Sequence, residues 1–261
     1  MIATSRDDPW RKLLARFPDL LYRFGVTSVL RVPARFCGIP GAANGGYLAG
    51  RLAEIAGGTV EVTFRRATPI ERDVTVRPVP GGVDLHYDGT LLAEARWMTV
   101  ELEPPSVTLQ EALEATVAFP RRVNHPVPRC FVCGTERQSG DGLRIFPGAV
   151  GGREHIYAAP WAPEASLADE AGFVRPEFLW AGLDCTGAFA VNEPPRGLAL
   201  LGKLAAKIDG AVRVGDPLVA VGWPIARHGR KLEAGTALLT AGGETLAVAR
   251  ATWVLTSADS A

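Results

Sequence analysis

The sequence predicts an α+β protein built from two copies of one structural unit. The segment Gly89–Val100 aligns without a gap on Gly243–Val254, and a glycine, two alanines and an arginine recur at matched positions. Each copy follows a helical segment rich in small residues and then a strand-rich stretch, in that order. Such a repeat indicates a duplicated supersecondary unit. The helical segments are Gly41–Ala56 and Glu177–Val191, and the strand-rich stretches are Val60–Val79 and Leu201–Trp223.

The strand predictions depend on alternation and on turn residues. Val60–Phe64 alternates apolar and polar side chains with the period of a half-buried strand. Turn residues at Pro80–Gly82 and at Asp88–Gly89 bracket Val83–Tyr87, which is therefore predicted to be a strand between two hairpin turns. In the second half, the corresponding turn signals are Gly215–Asp216, Gly229 and Gly242–Gly243.

Both helical segments contain several glycines and other small residues. A glycine inside a helix lowers its stability by about 1 kcal/mol relative to alanine, so these positions need a physical reason. One reason is close packing of the helix against its neighbours, and the other is close approach of a ligand to backbone N–H groups. The sequence leaves both open for Asn44–Gly46, which opens the first helical segment.

The chain outside the repeats has a different composition. We divide the sequence into an N-terminal extension (1–35), a first repeat (36–102), a connecting segment (103–174) and a second repeat (175–256). In the extension, apolar residues at helical spacing predict one amphipathic helix that leads into a strand over Val26–Val32. These apolar residues are Trp10, Leu13, Leu14 and Phe17.

The connecting segment begins with a predicted short helix, for which Ser106 or Thr108 is the N-cap. It continues through Phe119–Gly148, a stretch rich in proline, glycine and arginine that contains two cysteines and is predicted to be irregular. Its prolines and apolar side chains favour an ordered segment, because they limit the entropy of the unfolded chain and supply surface to bury. We expect it to pack across one end of a tunnel between the repeats.

Charge and cysteine content exclude several classes of protein. The 28 basic and 28 acidic side chains give zero net charge, which argues against a nucleic-acid-binding protein because phosphate binding needs a basic surface. No apolar run approaches the roughly 20 residues of a membrane span, and the charged start is not a secretory signal. Four scattered cysteines are too few for a disulfide-stapled secreted domain. We therefore expect a cytoplasmic protein, either monomeric or homodimeric.

A small-residue helix start followed by antiparallel strands, occurring twice, resembles the hotdog fold in its double form. The resemblance rests on Asn44–Ala49 (NGGYLA), which opens the first helix, and on the strand signature repeated at 247–254. It implies two tandem hotdog repeats, each a curved antiparallel sheet wrapping a central helix. The start NGGYLA is most similar to acyl-CoA thioesterase-like double hotdogs. The segments HPVPRCFVCG and FLWAGLDCTGAFA resemble uncharacterised actinobacterial members of that type.

This resemblance implies hydrolysis of an acyl thioester, on CoA or a carrier protein, in a tunnel between the repeats. Thioester cleavage needs a donor that polarises the carbonyl and a group that positions water. We expect the Asn44–Gly46 backbone to be the polarising site and Asp184, an acid in an apolar helix, to orient or deprotonate the water. Thr186 is expected to contact substrate. Alternatively, Asp184 is a helix cap that accepts from the N–H of Thr186 or Gly187.

The sequence also departs from the double-hotdog thioesterases. Those enzymes surround the aspartate with a threonine or serine and a glutamine, whereas approximate alignment places Leu201 and a residue near Ala251 there. Thr186 or Thr252 is a possible replacement. A non-catalytic protein that binds an acyl group or another small ligand therefore remains an alternative. A hotdog hydratase or dehydratase is a second alternative, but it would need a histidine near the acid, and the helix starts have none.

Cys130 and Cys133 have the one metal-like spacing in the chain. Tetrahedral zinc needs four ligands, and no second such pair follows. His125 is a possible third ligand, with Asp141 or Cys37 as a distant fourth. A buried thiol pair that braces a loop is the simpler interpretation. From the sequence we therefore expect no metal and no cofactor.

Overall fold

A computed structural model describes residues 27–117, 119, 125–192 and 197–256. The predicted N-terminal helix, with Trp10 and Phe17, lies outside these residues. Among the described residues, the strands join into one antiparallel sheet with the order β1-β3-β4-β5-β2-β8-β11-β10-β9-β7-β6. The strands are β1 Ser28–Arg31, β2 Val60–Phe64, β3 Asp73–Val79, β4 Gly82–Tyr87, β5 Thr90–Trp97, β6 Gly148–Ala149, β7 Tyr157–Trp161, β8 Ala199–Ile208, β9 Leu218–His228, β10 Lys231–Thr240 and β11 Thr245–Leu255.

The two halves of the sheet have the same internal order. From its outer edge to the middle of the sheet, the first half has the strand order β3-β4-β5-β2 and the second half has the order β9-β10-β11-β8. Strand β3 therefore corresponds to β9, β4 to β10, β5 to β11 and β2 to β8, and the two halves meet where β2 pairs with β8. At that junction Val60 pairs with Ala206 and Thr63 pairs with Lys203, in antiparallel register. The predicted strand Val83–Tyr87 is confirmed as β4. The two repeats therefore contribute equivalent sets of strands, and the β2–β8 pairing joins these sets into one continuous sheet.

Helices lie on the inner face of this sheet and at one outer face. The helices are α1 Gly45–Ala56, α2 Leu109–Thr116, α3 Pro176–Gly182 and α4 Cys185–Val191, with 3₁₀ turns at Ala34–Phe36 and Ala165–Leu167. Asn44 is the N-cap of α1, and its side-chain oxygen accepts a hydrogen bond from the N–H of Tyr47. Thr108 is the N-cap of α2 and forms a capping box with Glu111. No helix among the described residues has the length and apolar character that crossing a membrane requires.

Glycines let α1 and α3 pack in direct contact between the halves of the sheet. A Cβ on Gly50 would lie 2.6 Å from Cα of Glu177 and 2.9 Å from Cβ of Trp180. A Cβ on Gly46, one turn earlier, would lie 2.7 Å from the carbonyl oxygen of Trp180. Real Cβ atoms do not approach backbone this closely, so these two glycines are required by helix–helix packing. The packing interpretation of the small residues therefore holds for Gly46 and Gly50.

The helical segment predicted over Glu177–Val191 is present as two short helices rather than one. The helix breaks after Gly182, and α4 starts again at Cys185, with Asp184 between them in a non-helical conformation. The hydroxyl of Thr236 on β10 donates to the carbonyl oxygen of Leu183 at 2.7 Å. A side chain from the sheet thus satisfies a backbone group that the break releases. Asp184 consequently lies at the helix break, in the N-cap position of α4.

The connecting segment covers two surfaces of the molecule. Helix α2 and Val107 pack on the outer face of the second half of the sheet, against Val219 and Leu239. Beyond it, the described part of Phe119–Gly148 packs on the inner side, where Phe131 and Ile145 are fully buried. Burial on both faces explains why strands β9 to β11 lack a clean polar–apolar alternation. Described residues of this stretch are therefore packed into the core, whereas their expected place across one end of a tunnel stays a prediction. Pro120–Asn124 lie outside the described residues.

Arg137 anchors this irregular stretch from a nearly buried position, with 7% of its surface exposed. Its guanidinium donates to the carbonyl oxygen of Arg129 at 2.9 Å, to a carboxylate oxygen of Asp141 at 2.9 Å and to Sγ of Cys37 at 3.1 Å. A planar fork reaches three acceptors in different directions, which a lysine ammonium on a flexible stem does not reproduce.

We expect Arg137→Lys to lower the free energy of unfolding by about 1–3 kcal/mol, because three part-buried hydrogen bonds lose their donor geometry. Denaturant titration measures this change. Arg77→Lys, at an exposed position on β3, is the matched control and should leave the midpoint unchanged. Equal midpoints for the two variants would contradict the anchoring role.

Candidate active site and a cluster of three thiols

Asp184 is a buried carboxylate held by groups from the other half of the chain. Its side chain is 2% exposed. Oδ2 accepts hydrogen bonds from Nδ2 of Asn44 at 2.8 Å and from the backbone N–H of Gly46 at 2.9 Å. Oδ1 is buried and has no hydrogen-bond partner among the described residues. One oxygen of the carboxylate is thus fixed in position while the other keeps its accepting capacity.

The alternative interpretation, in which the side chain of Asp184 caps its own helix, is wrong. Asp184 precedes α4, but its side chain makes no capping hydrogen bond to that helix. It reaches instead to the start of α1, where the helix dipole and a free N–H favour a negative charge. Asn44 therefore has two tasks, because its oxygen caps α1 while its amide nitrogen holds the carboxylate of Asp184.

The environment of Asp184 raises its pKa to about 7. Burial is the main cause, because a charged carboxylate loses hydration in the interior. Negative charge on Cys130 acts in the same direction, whereas the hydrogen bonds from the Gly46 N–H and the Asn44 side chain oppose the shift. A buried acid with such a perturbed pKa beside a cavity is typical of a functional site.

A cavity of about 530 Å³ opens beside Asp184 and is bounded by both halves of the sheet and by the connecting segment. Its volume falls within the range of small-molecule sites, roughly 300–1,000 Å³. The wall is mainly apolar and includes a few polar groups. The apolar part includes Leu48, Phe64, Phe189, Leu201 and Trp253, and the polar part includes Asn44, His125 and Asp184.

The sequence-predicted site residues separate into two groups. Asn44, Gly45 and Asp184 line the cavity. Gly46 is packed against α3, and its N–H is taken by Asp184, so it is not available to polarise a substrate carbonyl. Thr186 is fully buried and is not among the residues that line the cavity, so its expected contact with substrate stays a prediction.

The two positions at which the sequence departs from the thioesterase pattern have different surroundings. Leu201 lies at the cavity wall, and its Cδ2 is the atom that a Cβ on Gly45 would meet first, at 2.6 Å. Ala251 is fully buried in β11, where it pairs with Leu204 and Ala234. Neither side chain can hold a water molecule, so any water near Asp184 depends on other groups.

Three cysteine thiols meet next to Asp184. The sulfur atoms of Cys130, Cys133 and Cys185 all lie within 4.8 Å of one another, and those of Cys130 and Cys185 are 3.7 Å apart. Nδ2 of Asn44 lies 3.8 Å from Sγ of Cys130, so the amide links the thiols to the carboxylate. Hydrogen bonds from the neighbouring thiols lower the pKa of Cys130, while the pKa values of Cys133 and Cys185 are raised.

Sequence reasoning missed Cys185 as the partner of the Cys130–Cys133 pair. The expected partners are placed elsewhere, because Asp141 and Cys37 are both bound by Arg137. Nδ1 of His125 accepts from the N–H of Val127 at 3.1 Å, and His125 lines the cavity without joining the thiol group. The available signal was the position of Cys185 directly after the acid, on the segment expected to approach the Asn44 helix start.

No family model matches the sequence, and no curated protein matches it significantly. The tesB protein of Mycobacterium avium subspecies paratuberculosis matches at a TM-score of 0.58 and 15% identity, over 88% of this chain and 93% of its own. A candidate thioesterase from Novosphingobium aromaticivorans matches at 0.59 and 15% identity, over 89% and 96%.

A protein of unknown function with a hotdog fold, from Alicyclobacillus acidocaldarius, is equally similar. It matches at a TM-score of 0.59 and 13% identity, over 88% of this chain and 93% of its own. At such identities the likeness concerns the fold, and the matches extend across both halves of the sheet. The repeated strand order and these matches together show that the chain has the double-hotdog fold.

Proposed function

We propose that the protein hydrolyses acyl thioesters, carried on CoA or on a carrier protein in the cytoplasm. The observation that carries this proposal is the geometry of Asp184. It is a buried carboxylate beside an apolar cavity, with one oxygen fixed by Asn44 and Gly46 and the other unpartnered among the described residues. A carboxylate held in this way is suited to orient a water molecule and to accept its proton.

The carbonyl-polarising donor in this proposal is the backbone of Gly45. Gly45 is the first residue of α1 and lines the cavity. N–H groups in the first turn of a helix have no intrahelical acceptor, and the helix dipole favours the negative charge that develops on a thioester oxygen. The N–H of Gly46 already donates to Asp184 and cannot also bind a substrate. Of the expected Asn44–Gly46 polarising site, the proposal therefore keeps only the N–H of Gly45.

The walls of the cavity support the choice of substrate. The apolar side chains suit an acyl chain, since burying each methylene group contributes about 0.8 kcal/mol. Arg65 and Arg66 line the cavity and are both exposed to solvent. Guanidinium groups there would suit the phosphates of CoA or of a carrier-protein prosthetic group.

The test is turnover by the purified full-length protein on a series of acyl-CoA esters of increasing chain length. Release of free CoA should be followed by chromatography, because a thiol reagent would also react with the protein's own cysteines. We expect hydrolysis of at least one ester above the spontaneous rate. The proposal would be refuted if the protein hydrolysed neither the acyl-CoA esters nor acyl esters of a carrier protein.

A binding protein without catalysis is the alternative that Leu201 favours. Leu201 places an apolar side chain on the cavity wall at the position where thioesterases of this type have a hydroxyl group. Tight acyl-CoA binding in calorimetry, combined with no turnover, would establish that alternative.

His125 gives a reason to include unsaturated substrates in the assay. It places an imidazole at the same cavity as Asp184, although the helix starts have no histidine. A hotdog hydratase would use such a pair to add water to an enoyl thioester. Formation of a hydroxyacyl-CoA from an enoyl-CoA would therefore identify a lyase in place of a hydrolase.

A further inference from the structure

The Cys130, Cys133 and Cys185 cluster has the dimensions of a metal site. All three sulfur atoms lie within 4.8 Å of one another, and the side chains are buried as free thiols. Zn–S bonds of about 2.3 Å in a tetrahedral site place sulfur atoms about 3.8 Å apart. The Cys130 and Cys185 sulfurs are 3.7 Å apart, which matches that separation.

The backbone holds two of these sulfurs in a tight turn. The N–H of Gly134 donates to the carbonyl oxygen of Cys130 at 2.9 Å. A Cβ on Gly134 would lie 2.4 Å from that same oxygen, so no larger residue fits while the turn is kept.

The third sulfur comes from a separate and equally fixed element. Cys185 is the first residue of α4, directly after the helix break that Thr236 supports. The cluster therefore joins the segment between the repeats to the second repeat. The two sulfur atoms in contact belong to residues 55 positions apart in the sequence. Two rigid elements bring three thiols together without a disulfide, which is the arrangement that a soft cation stabilises.

The fourth position of a tetrahedral site would face the cavity. Within the part of the chain that the structure describes, no histidine, aspartate, glutamate or fourth cysteine joins the three sulfurs. All three cysteines line the cavity that Asp184 and Gly45 also line. Metal sites with three protein ligands and an accessible fourth position bind water or a ligand there.

We propose that Cys130, Cys133 and Cys185 bind one thiophilic divalent cation, for which Zn²⁺ fits best, with its fourth position open to the cavity. Each coordinating thiol releases its proton to solvent as the metal–sulfur bond forms, and no atom changes oxidation state. The site goes beyond the proposed hydrolysis and does not depend on it.

The experiment is a Co²⁺ titration of the full-length protein, purified under reducing conditions and stripped of metal. Tetrahedral thiolate coordination gives an intense near-ultraviolet charge-transfer band and visible d–d bands, which Zn²⁺ should abolish by displacement. We expect saturation at one ion per chain. Cys130→Ser, Cys133→Ser and Cys185→Ser should each lose the bands. Cys37→Ser is the matched control and should keep them, since Cys37 lies outside the cluster.

Alkylation followed by mass spectrometry keeps the proposal falsifiable if a serine variant fails to fold. In the wild-type protein, added Zn²⁺ should protect three cysteines from alkylation and leave Cys37 at its metal-free rate. Absence of the cobalt bands in the wild type, or their persistence in the Cys185→Ser variant, would overturn the proposal. A Cys130–Cys185 disulfide that persists through purification under reducing conditions and prevents metal binding would overturn it as well.

Discussion

Asp184→Asn is expected to reduce kcat for thioester hydrolysis by roughly 10²–10⁴-fold, the usual contribution of a positioned general base. The amide keeps an oxygen that can accept from Asn44 and from the Gly46 N–H, so the local structure should persist. The asparagine amide, however, cannot accept a proton from a water molecule as the Oδ1 atom of the carboxylate can. Acyl-CoA binding should therefore change little while turnover falls.

Several measurements make this result specific to the carboxylate. Asp88→Asn is the matched control, because Asp88 lies in an exposed hairpin turn with φ 46°, a conformation that asparagine also adopts. The melting temperature of Asp184→Asn should not fall, since burying a charged carboxylate with one unpartnered oxygen is costly to the fold. Metal content should be determined in both variants. Unchanged turnover in Asp184→Asn would refute the role assigned to this residue.

Gly50→Ala is expected to lower the free energy of unfolding by about 1–3 kcal/mol through overpacking. Alanine favours a helix interior by about 1 kcal/mol over glycine, so propensity alone predicts the opposite sign. Contact decides the outcome, because the new methyl group would lie 2.6 Å from Cα of Glu177. A backbone atom cannot move aside as a side chain can, so α1 and α3 must separate.

Thermal unfolding measures this effect, with a fall of about 2–4 °C expected per kcal/mol for a domain of this size class. Gly58→Ala is the control, since its Cβ would meet only Trp97 Cδ1, at 3.9 Å. An equal or higher melting temperature for Gly50→Ala would show that the two helices are not in the contact described.

Local features of the protein follow from the sequence by itself. The repeated order of elements predicts the two halves of the sheet, and turn residues around Val83–Tyr87 predict β4. Asn44–Gly46 was predicted to open the first helix, and α1 does begin there, with Asn44 as its N-cap. Each of these depends on neighbouring residues, whose periodicity and backbone preferences act over a few positions. Asp184 was recognisable as an acid in an apolar segment for the same reason.

Only the tertiary structure decided which distant groups meet. Asn44 holds a carboxylate 140 residues away, and Cys130 lies beside a thiol 55 residues away. These contacts depend on how closely α1 and α3 approach and on where the second central helix breaks. The break is stabilised by Thr236 from a strand far along the chain. A local sequence pattern predicts which face of a helix or strand is buried. It does not predict which element covers that face, because the packing of distant elements decides this.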